Sequence, residues 1–223
     1  MKAMILAAGQ GARLRPLTDT VPKPLIEVGD GPLIDRHIAR LRRAGVTELV
    51  INHGRLGQQI EAHLGDGAGH NVSITYSAEG DEPLETGGGI RNALPLLGAE
   101  PFIIVNADIW SDFPFDALPI QPDALAHLVL VDNPDHNPDG DFGLRNGYVM
   151  LEPRTRFTYS GIAVLRAELF DECSDQRFGL APLLRHAAAQ GLVTGERFTG
   201  LWLDVGTPER LALARVQAAA GNH

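Results

Sequence analysis

The sequence predicts an α/β protein with three layers, in which helices cover both faces of a mostly parallel sheet. Short apolar segments alternate with segments of helical periodicity over about the first 110 residues, a pattern typical of this class. The predicted strand 102–106 is almost continuously apolar, as expected for a central parallel strand. A glycine-rich turn directly follows the first apolar segment, at the edge where such sheets bind ligands.

The first half of the chain contains four predicted strands and three predicted helices. Pro32 suits the first position of the first helix, and Gly45 suits its end, because proline tolerates a helix start and glycine a helix stop. The predicted strands are 2–6, 48–52, 72–76 and 102–106. The predicted helices are 33–41, 56–64 and 87–97.

The second half is less regular. A polar, proline-containing stretch at 132–141 indicates a loop, and Asn146-Gly147 between two apolar runs predicts a hairpin. The predicted strands are 125–131, 142–145, 148–151, 159–165 and 201–205. The predicted helices are 180–190 and 208–220. Since neither a linker nor an internal repeat interrupts the chain, we expect a single domain over residues 1–223.

Composition excludes several classes of function. The net charge of −9 disfavours nucleic acid as a partner, because phosphate backbones need a basic surface. No stretch approaches the roughly 20 apolar residues that span a bilayer. Cys173 is the single cysteine, so an internal disulfide is impossible and the reducing cytoplasm is the expected location. We expect small-molecule substrates and a monomer or weak homodimer.

The glycine-rich stretch places two cations close behind a tight turn. Gly9 and Gly11 follow the first strand, Arg13 comes next, and Lys23 stands between two prolines. A dinucleotide-binding fingerprint would need a third glycine where Leu14 stands, and a Walker-type loop would need Gly-Lys-Ser/Thr. Only two of the 19 basic residues are lysines, which indicates that position 23 needs a compact cation. An oligophosphate is the ligand that this pattern suits.

Two aspartates stand at or just beyond the ends of apolar strands. Asp108 comes after the strand 102–106, and Asp204 lies in the predicted strand 201–205, just before a turn. Either residue alone could simply cap the next segment. Together they match the one or two carboxylates that Mg²⁺ takes from a protein when phosphates and water complete its shell.

The pattern from Leu6 through Arg13, Pro16 and Thr18 to Lys23 closely resembles the N-terminal motif of the sugar-1-phosphate nucleotidylyltransferases. The resemblance implies a Rossmann-like nucleotidyltransferase fold with a small β-rich sugar-binding part. Residues 1–110 would mainly bind the nucleotide, and residues 111–223 mainly the sugar.

By this resemblance, the phosphates and the metal are assigned to a few charged residues. Arg13 would contact the β- and γ-phosphates, Lys23 would neutralise the α-phosphate, and Asp108 would complete the catalytic set. Asp108 and Asp204 would bind Mg²⁺, although the family more usually has glycine where Ala107 stands. The implied nucleotide-binding residues are Leu6, Ala7, Ala8, Gly9, Gly11, Ala12, Arg13, Lys23, Glu79 and Gly88.

Within that set, Glu79 and Gly88 are the candidate contacts to the base. The implied sugar-binding residues are Asn106, Gly143, Glu152 and Ser160. The segment Glu152-Pro153 lacks the lysine that the family places between these two residues. The candidate replacements for that cation are Arg154, Arg156 and Arg197, which the sequence does not rank.

The implied reaction joins a nucleoside triphosphate and a sugar 1-phosphate into a nucleotide sugar and pyrophosphate. The segments 84–89, 132–134 and 202–207 are most similar to the family branch that uses UTP and N-acetylmuramic acid α-1-phosphate in peptidoglycan recycling. Mannose- or glucose-1-phosphate with GTP, UTP or dTTP is the alternative. A glycosyltransferase that consumes a nucleotide sugar, or a non-catalytic sensor, is more distant, since neither explains the cationic loop.

Overall fold

The computed structural model describes residues 1–80, 82–119, 124–152 and 154–220. The strands are β1 (Ala3–Leu6), β2 (Glu27–Val28), β3 (Gly31–Pro32), β4 (Glu48–His53), β5 (Ser73–Ala78), β6 (Phe102–Asn106), β7 (Ile109–Ser111), β8 (Ala126–Val131), β9 (Gly143–Arg145), β10 (Tyr148–Met150), β11 (Thr158–Leu165), β12 (Val193–Arg197) and β13 (Trp202–Asp204). The helices are α1 (Leu17–Thr20), α2 (Leu33–Arg43), α3 (Gly57–Leu64), α4 (Glu85–Leu97), α5 (Leu180–Ala189) and α6 (Pro208–Ala220).

A nine-stranded sheet organises the molecule, in the order β5-β4-β1-β6-β11-β8-β12-β10-β9. The first four strands are parallel to one another. Strand β11 is antiparallel to both of its neighbours, β12 is parallel to β8, and β10 is antiparallel to β12 and β9. All strands of this sheet except β10 and β11 therefore run in one direction. The predicted α/β class with a mostly parallel central sheet is confirmed.

Helices cover both faces of the sheet and make three layers. Ala3 and Ile5 of β1 pack with Ile38 of α2 and Ile60 of α3 on one face. Met4, between them in the sequence, packs on the opposite face with residues of α4 and α5. This division follows from the alternation of side chains along a strand. The sheet is thus buried on both sides, which explains the near-continuous apolar character of its central strands.

The hairpin between β9 and β10 forms as the sequence predicts. Asn146 and Gly147 have φ angles of 52° and 80°, and the two strands pair antiparallel with Tyr148 opposite Arg145. Positive φ at both central residues is the requirement of a two-residue turn whose twist matches the strands, and asparagine and glycine meet it most easily.

The structure adds strands that the apolar pattern does not reveal. Strand β12 contains Gly195, Glu196 and Arg197, and its exposure alternates, so it lacks an apolar run. A Cβ at Gly195 would lie 2.9 Å from the Leu128 carbonyl oxygen, so this close strand contact requires glycine. The predicted strand 201–205 is shorter than expected, and it pairs with β7 in a separate two-stranded sheet rather than with the central sheet.

Helix α6 anchors the region that precedes α2. Its buried residues Leu211, Ala214 and Ala218 pack in one apolar cluster with Leu14 and Ile26. The glycine-rich loop, which begins at the end of β1, is therefore supported by the last helix of the described chain. In the described part of the chain, no helix has the length and the apolar character that crossing a membrane requires.

Candidate active site

A cavity of about 350 Å³ opens where β1 and β6 end. This is the edge of a parallel sheet at which α/β folds bind ligands. The residues predicted from the sequence that line it are Leu6, Ala7, Ala8, Gly9, Gly11, Ala12, Arg13, Lys23, Glu79, Asn106 and Asp108. The other lining residues include Asn52, Glu85 and Gly206. Gly88, Gly143, Glu152, Ser160 and Asp204 are not among the lining residues.

The glycine-rich loop is fixed by hydrogen bonds to one carbonyl. Gly11 has a φ of 63°, and its carbonyl oxygen accepts hydrogen bonds from Leu14 N–H at 2.8 Å and from the Thr18 hydroxyl at 2.8 Å. A Cβ at Gly11 would lie 2.8 Å from Thr18 Cγ2. Gly11 is therefore required both by its left-handed backbone and by the close approach of Thr18.

Side chains from the turn before α3 and from its first turn hold the outer part of the same loop. Arg55 donates hydrogen bonds to the carbonyls of Thr18 at 3.1 Å and Asp19 at 2.8 Å. Gln59 donates to the Thr20 carbonyl at 2.9 Å. These bonds satisfy carbonyls of α1 and tie the segment that separates Arg13 from Lys23 to the body of the protein.

Lys23 and Asp108 meet at the base of the cavity. The Lys23 ammonium forms an ion pair with Asp108 Oδ2, and the lysine side chain is only 11% exposed while the carboxylate is 30% exposed. The ion pair thus joins the glycine-rich loop to the end of β6. It presents one buried cation and one partly open carboxylate to a ligand in the cavity.

Asp204 lies next to Asp108 through the backbone. Val205 N–H donates to the Asp108 carbonyl at 2.8 Å, so the two aspartates lie on adjoining segments. Asp204 Oδ2 is 3.1 Å from an Arg210 guanidinium nitrogen and 3.6 Å from His136 Nε2. The other oxygen, Oδ1, is buried without a hydrogen-bond partner in the structure.

This arrangement fits a hard divalent cation that completes its shell with substrate. An unpartnered buried carboxylate oxygen is costly unless a ligand satisfies it, and carboxylate oxygen is the donor that Mg²⁺ prefers. Among the described residues, no group of three or more histidine, cysteine, aspartate or glutamate side chains could by itself hold a metal ion. Two carboxylates are sufficient only where phosphates and water supply the remaining ligands.

The predicted sugar contacts divide into two groups. Asn106 lines the cavity, and its amide packs closely on Gly161, whose φ is 80°. The Ser160 hydroxyl is buried and accepts a hydrogen bond from Ile162 N–H at 3.1 Å. Gly143 is buried at the start of β9 and Glu152 is exposed. Ser160, Gly143 and Glu152 are therefore not brought to the cavity.

The glycine run in α4 meets neighbouring backbone and side chains instead of the cavity. Gly88 donates its N–H to the Phe178 carbonyl at 3.0 Å, and a Cβ there would overlap the Gln176 carbonyl. A Cβ at Gly87 would likewise overlap the Phe178 ring, and a Cβ at Gly89 would overlap Glu79 Oε1. The run allows three different neighbours to approach one helix start.

The candidate replacements for the missing lysine lie away from the cavity. Arg197 makes two 2.8 Å hydrogen bonds to Asp132, which hold the pKa of Asp132 below its ordinary value. Arg156 donates to the Leu151 carbonyl, and Arg154 is exposed. Arg210 lies nearer, because its guanidinium packs against Gly206, a residue that lines the cavity. Its side chain is 13% exposed beside Asp204.

Sequence reasoning missed two buried polar residues, His37 and Asn52, of which Asn52 lines the cavity. His37 is 4% exposed in α2, and burial lowers its pKa from 6.5 to about 4. It falls on the apolar face of a helix, so no sequence signal separates it from the core. Asn52 is 3% exposed near the end of β4. Its signal is present in the sequence, since it is a polar residue that ends an apolar run, as Asp108 does.

A parallel-sheet edge, a glycine-rich loop with two cations and the Asp108 carboxylate beside Lys23 are typical of a nucleotide-dependent phosphoryl-transfer site. The nucleotidyl transferase family model matches residues 2–150, and the chain belongs to this family. The resemblance based on the glycine-rich stretch is thereby confirmed, and the chain is a nucleotidyltransferase.

Relatives of known activity match nearly the whole chain. The N-acetylmuramate α-1-phosphate uridylyltransferase of Neisseria meningitidis serogroup B is 50% identical, with 99% of each chain covered. The enzyme of the same name from Caulobacter vibrioides is 35% identical, with 97% of this chain and 96% of the relative covered. The mannose-1-phosphate guanyltransferase of Aspergillus oryzae is 43% identical, but the match covers 53% of this chain and 33% of the relative.

Solved structures share the fold. A Bacillus anthracis structure assigned as a glucose-1-phosphate thymidylyltransferase superposes with a TM-score of 0.85 and 22% identity, covering 100% of this chain and 97% of its own. HddC from Yersinia pseudotuberculosis, complexed with GMP-PN, has a TM-score of 0.78 at 21% identity, with 97% and 98% covered. At this identity the likeness shows the fold alone.

Proposed function

We propose that the protein transfers UMP from UTP to a sugar 1-phosphate, N-acetylmuramic acid α-1-phosphate, and releases pyrophosphate. The UDP-sugar so formed would return a cell-wall sugar to peptidoglycan synthesis. The observation that carries the reaction class is the contact of Lys23 with Asp108 at the base of a cavity lined by the glycine-rich loop. The choice of nucleotide and sugar is supported by the full-length similarity to two uridylyltransferases that act on this sugar phosphate.

The bond changes need positioned charge more than an acid or a base. An oxygen of the sugar 1-phosphate attacks the α-phosphorus of UTP and forms the new P–O bond, while the bond to the bridging oxygen breaks and pyrophosphate leaves. The attacking phosphate is already anionic at neutral pH, so no proton has to be removed. Lys23 would balance negative charge at the α-phosphate and Arg13 at the departing pyrophosphate, as preorganised electrostatic stabilisation requires.

We further propose that Asp108 and Asp204 hold Mg²⁺ together with the substrate phosphates. When bound, the ion would supply charge neutralisation at the reacting phosphates. The support is the buried, unpartnered Asp204 Oδ1 and the backbone bond that joins Val205 to Asp108. Arg210 and His136 would hold the second carboxylate oxygen of Asp204 in place. A cytoplasmic location is part of the same proposal, since a single cysteine suits a reducing compartment.

A pyrophosphate-release screen tests the proposal. Purified protein is incubated with Mg²⁺, each of UTP, GTP, dTTP and ATP, and a panel of sugar 1-phosphates that contains N-acetylmuramic acid, N-acetylglucosamine, glucose and mannose. We expect the highest kcat/KM with UTP and N-acetylmuramic acid α-1-phosphate. Lys23→Met serves as the matched control with strongly reduced activity. Absence of turnover for this pair, with clear turnover for mannose 1-phosphate and GTP, would overturn the substrate assignment.

A further inference from the structure

Asn52 stands between two walls of the cavity. It is a residue of β4 and lies beside Leu6 of β1 in the parallel register. Its side chain is buried, with 3% of the residue exposed, yet it lines the cavity. The first wall is the backbone that follows β1, which includes Ala7. The second wall consists of Glu79, Pro83, Glu85 and Thr86.

A continuous set of hydrogen bonds joins the two walls through Asn52. Ala7 N–H donates to Asn52 Oδ1 at 2.8 Å. The Asn52 amide donates to Glu79 Oε1 at 2.6 Å, and the second Glu79 oxygen accepts from Leu84 N–H at 2.9 Å. Both ends of this set are backbone groups, and the two side chains between them have complementary roles. Asn52 accepts on one side and donates on the other, while Glu79 accepts on both.

The helix packed against this pair leaves it little freedom. A Cβ at Gly89 would lie 2.9 Å from the Asn52 amide nitrogen and would overlap Glu79 Oε1. The pair is therefore enclosed by β1, β4 and α4, and neither side chain can move away without leaving a buried N–H or oxygen unpaired. Hydrogen bonds to a charged group in such surroundings are stronger than neutral ones.

We infer that Asn52 and Glu79 form a positioning pair that sets the separation of the phosphate-binding loop and the second wall. The inference rests on the proposed function, because it assumes that a nucleoside triphosphate occupies the space between these walls. The pair acts on nucleotide affinity through the backbone that it holds. It does not touch the reacting atoms, so its loss raises the KM for the nucleotide more than it lowers kcat.

The donor and acceptor pattern permits a rescue experiment. Asn52→Asp keeps the acceptor for Ala7 N–H but sets two carboxylates against each other. Combining Glu79→Gln with Asn52→Asp restores a donor between the two side chains and keeps an acceptor for Leu84 N–H. We expect Asn52→Asp to raise the KM for UTP by about 10-fold or more, the cost of losing a charged hydrogen bond. The double variant should recover to within about 3-fold of the wild type.

Four controls make the result decisive. Asn71→Asp places the same change at an exposed asparagine outside the cavity and should leave both KM values unchanged. The KM for the sugar 1-phosphate should move by less than about 3-fold in every variant. Gly89→Ala should reproduce the defect of Asn52→Asp, because its Cβ displaces the pair. Thermal unfolding of each variant establishes that it is folded.

Two results would contradict the inference that Asn52 and Glu79 form a positioning pair. One is a double variant that is folded but no better than Asn52→Asp. The other is a set of variants in which kcat falls while the KM for UTP stays constant. If Asn52→Asp does not fold, UTP binding to the double variant by calorimetry decides: affinity within about 3-fold of the wild type supports the pair, and weaker binding contradicts it. Absence of turnover in the wild type would instead refute the proposed function.

Discussion

Replacing Lys23 tests the electrostatic core of the site most directly. The Lys23 ammonium contacts the Asp108 carboxylate, and its side chain is only 11% exposed. Bulk water therefore cannot readily supply the charge stabilisation that is lost when the ammonium group is removed. Loss of one preorganised electrostatic group typically lowers kcat by about 10²–10³-fold, or about 2.7–4 kcal/mol. We expect Lys23→Ala and the longer Lys23→Met to fall in this range.

The fold should survive the same change. Asp108 is 30% exposed and can be hydrated, so the loss of its partner should cost less unfolding free energy than the roughly 3–5 kcal/mol of breaking a fully buried pair. Lys23→Arg keeps the charge but brings a planar, bulkier group between two prolines, and we expect partial activity. The measurements are pyrophosphate release under saturating substrates and urea unfolding. A folded Lys23→Ala protein with kcat within about 3-fold of the wild type would refute the reasoning.

Three further predictions concern the loop, the metal and the core. Gly11→Ala should cost about 1–3 kcal/mol in urea unfolding, because φ is 63° and a Cβ would lie 2.8 Å from Thr18; Gly9→Ala, with open space around it, is the control. Asp204→Asn should raise the Mg²⁺ concentration for half-maximal rate, and an unchanged requirement would remove Asp204 from the metal site. Burial lowers the pKa of His37 from 6.5 to about 4. Between these two pH values the unfolded state binds more protons than the folded state. The free energy of unfolding should therefore fall as the pH falls, by up to about 1.4 kcal/mol per pH unit. His37→Phe should reduce that slope, and an equal slope in both proteins would contradict the assignment.

The fold is predictable from the sequence where apolar character is continuous. Strand β6 and helix α6 have the bounds expected from the sequence pattern. The apolar residues of β6 are buried, and the buried residues of α6 lie on one face of the helix. The apolar pattern misses strand β12, since the sequence from Val193 to Arg197 contains glycine and two charged residues. The place of β12 in the sheet depends on pairing with β8, which lies far earlier in the chain. Non-local pairing of this kind leaves no local signal.

The candidate site is predictable from the sequence at positions where the residue type has a single plausible role. Gly11, Arg13, Lys23 and Asp108 all line the cavity, and each stands out by its own position in the pattern. The resemblance implies that Gly88 contacts the base, but its surroundings are the backbone of residues 176 and 178. A glycine needed for a ligand and a glycine needed for close packing have the same sequence appearance, and only the neighbours distinguish them.

Because α6 packs beneath the glycine-rich loop, the loop depends on a helix that is synthesised long after it. Leu14 and Ile26, which flank the segment that holds Lys23, share a buried cluster with Leu211 and Ala218. A ribosome makes the glycine-rich loop early and its supporting helix only after every strand of the central sheet. A nascent chain can therefore complete much of that sheet while the loop still lacks its apolar support. Nucleotide binding should be among the last properties that the growing chain acquires.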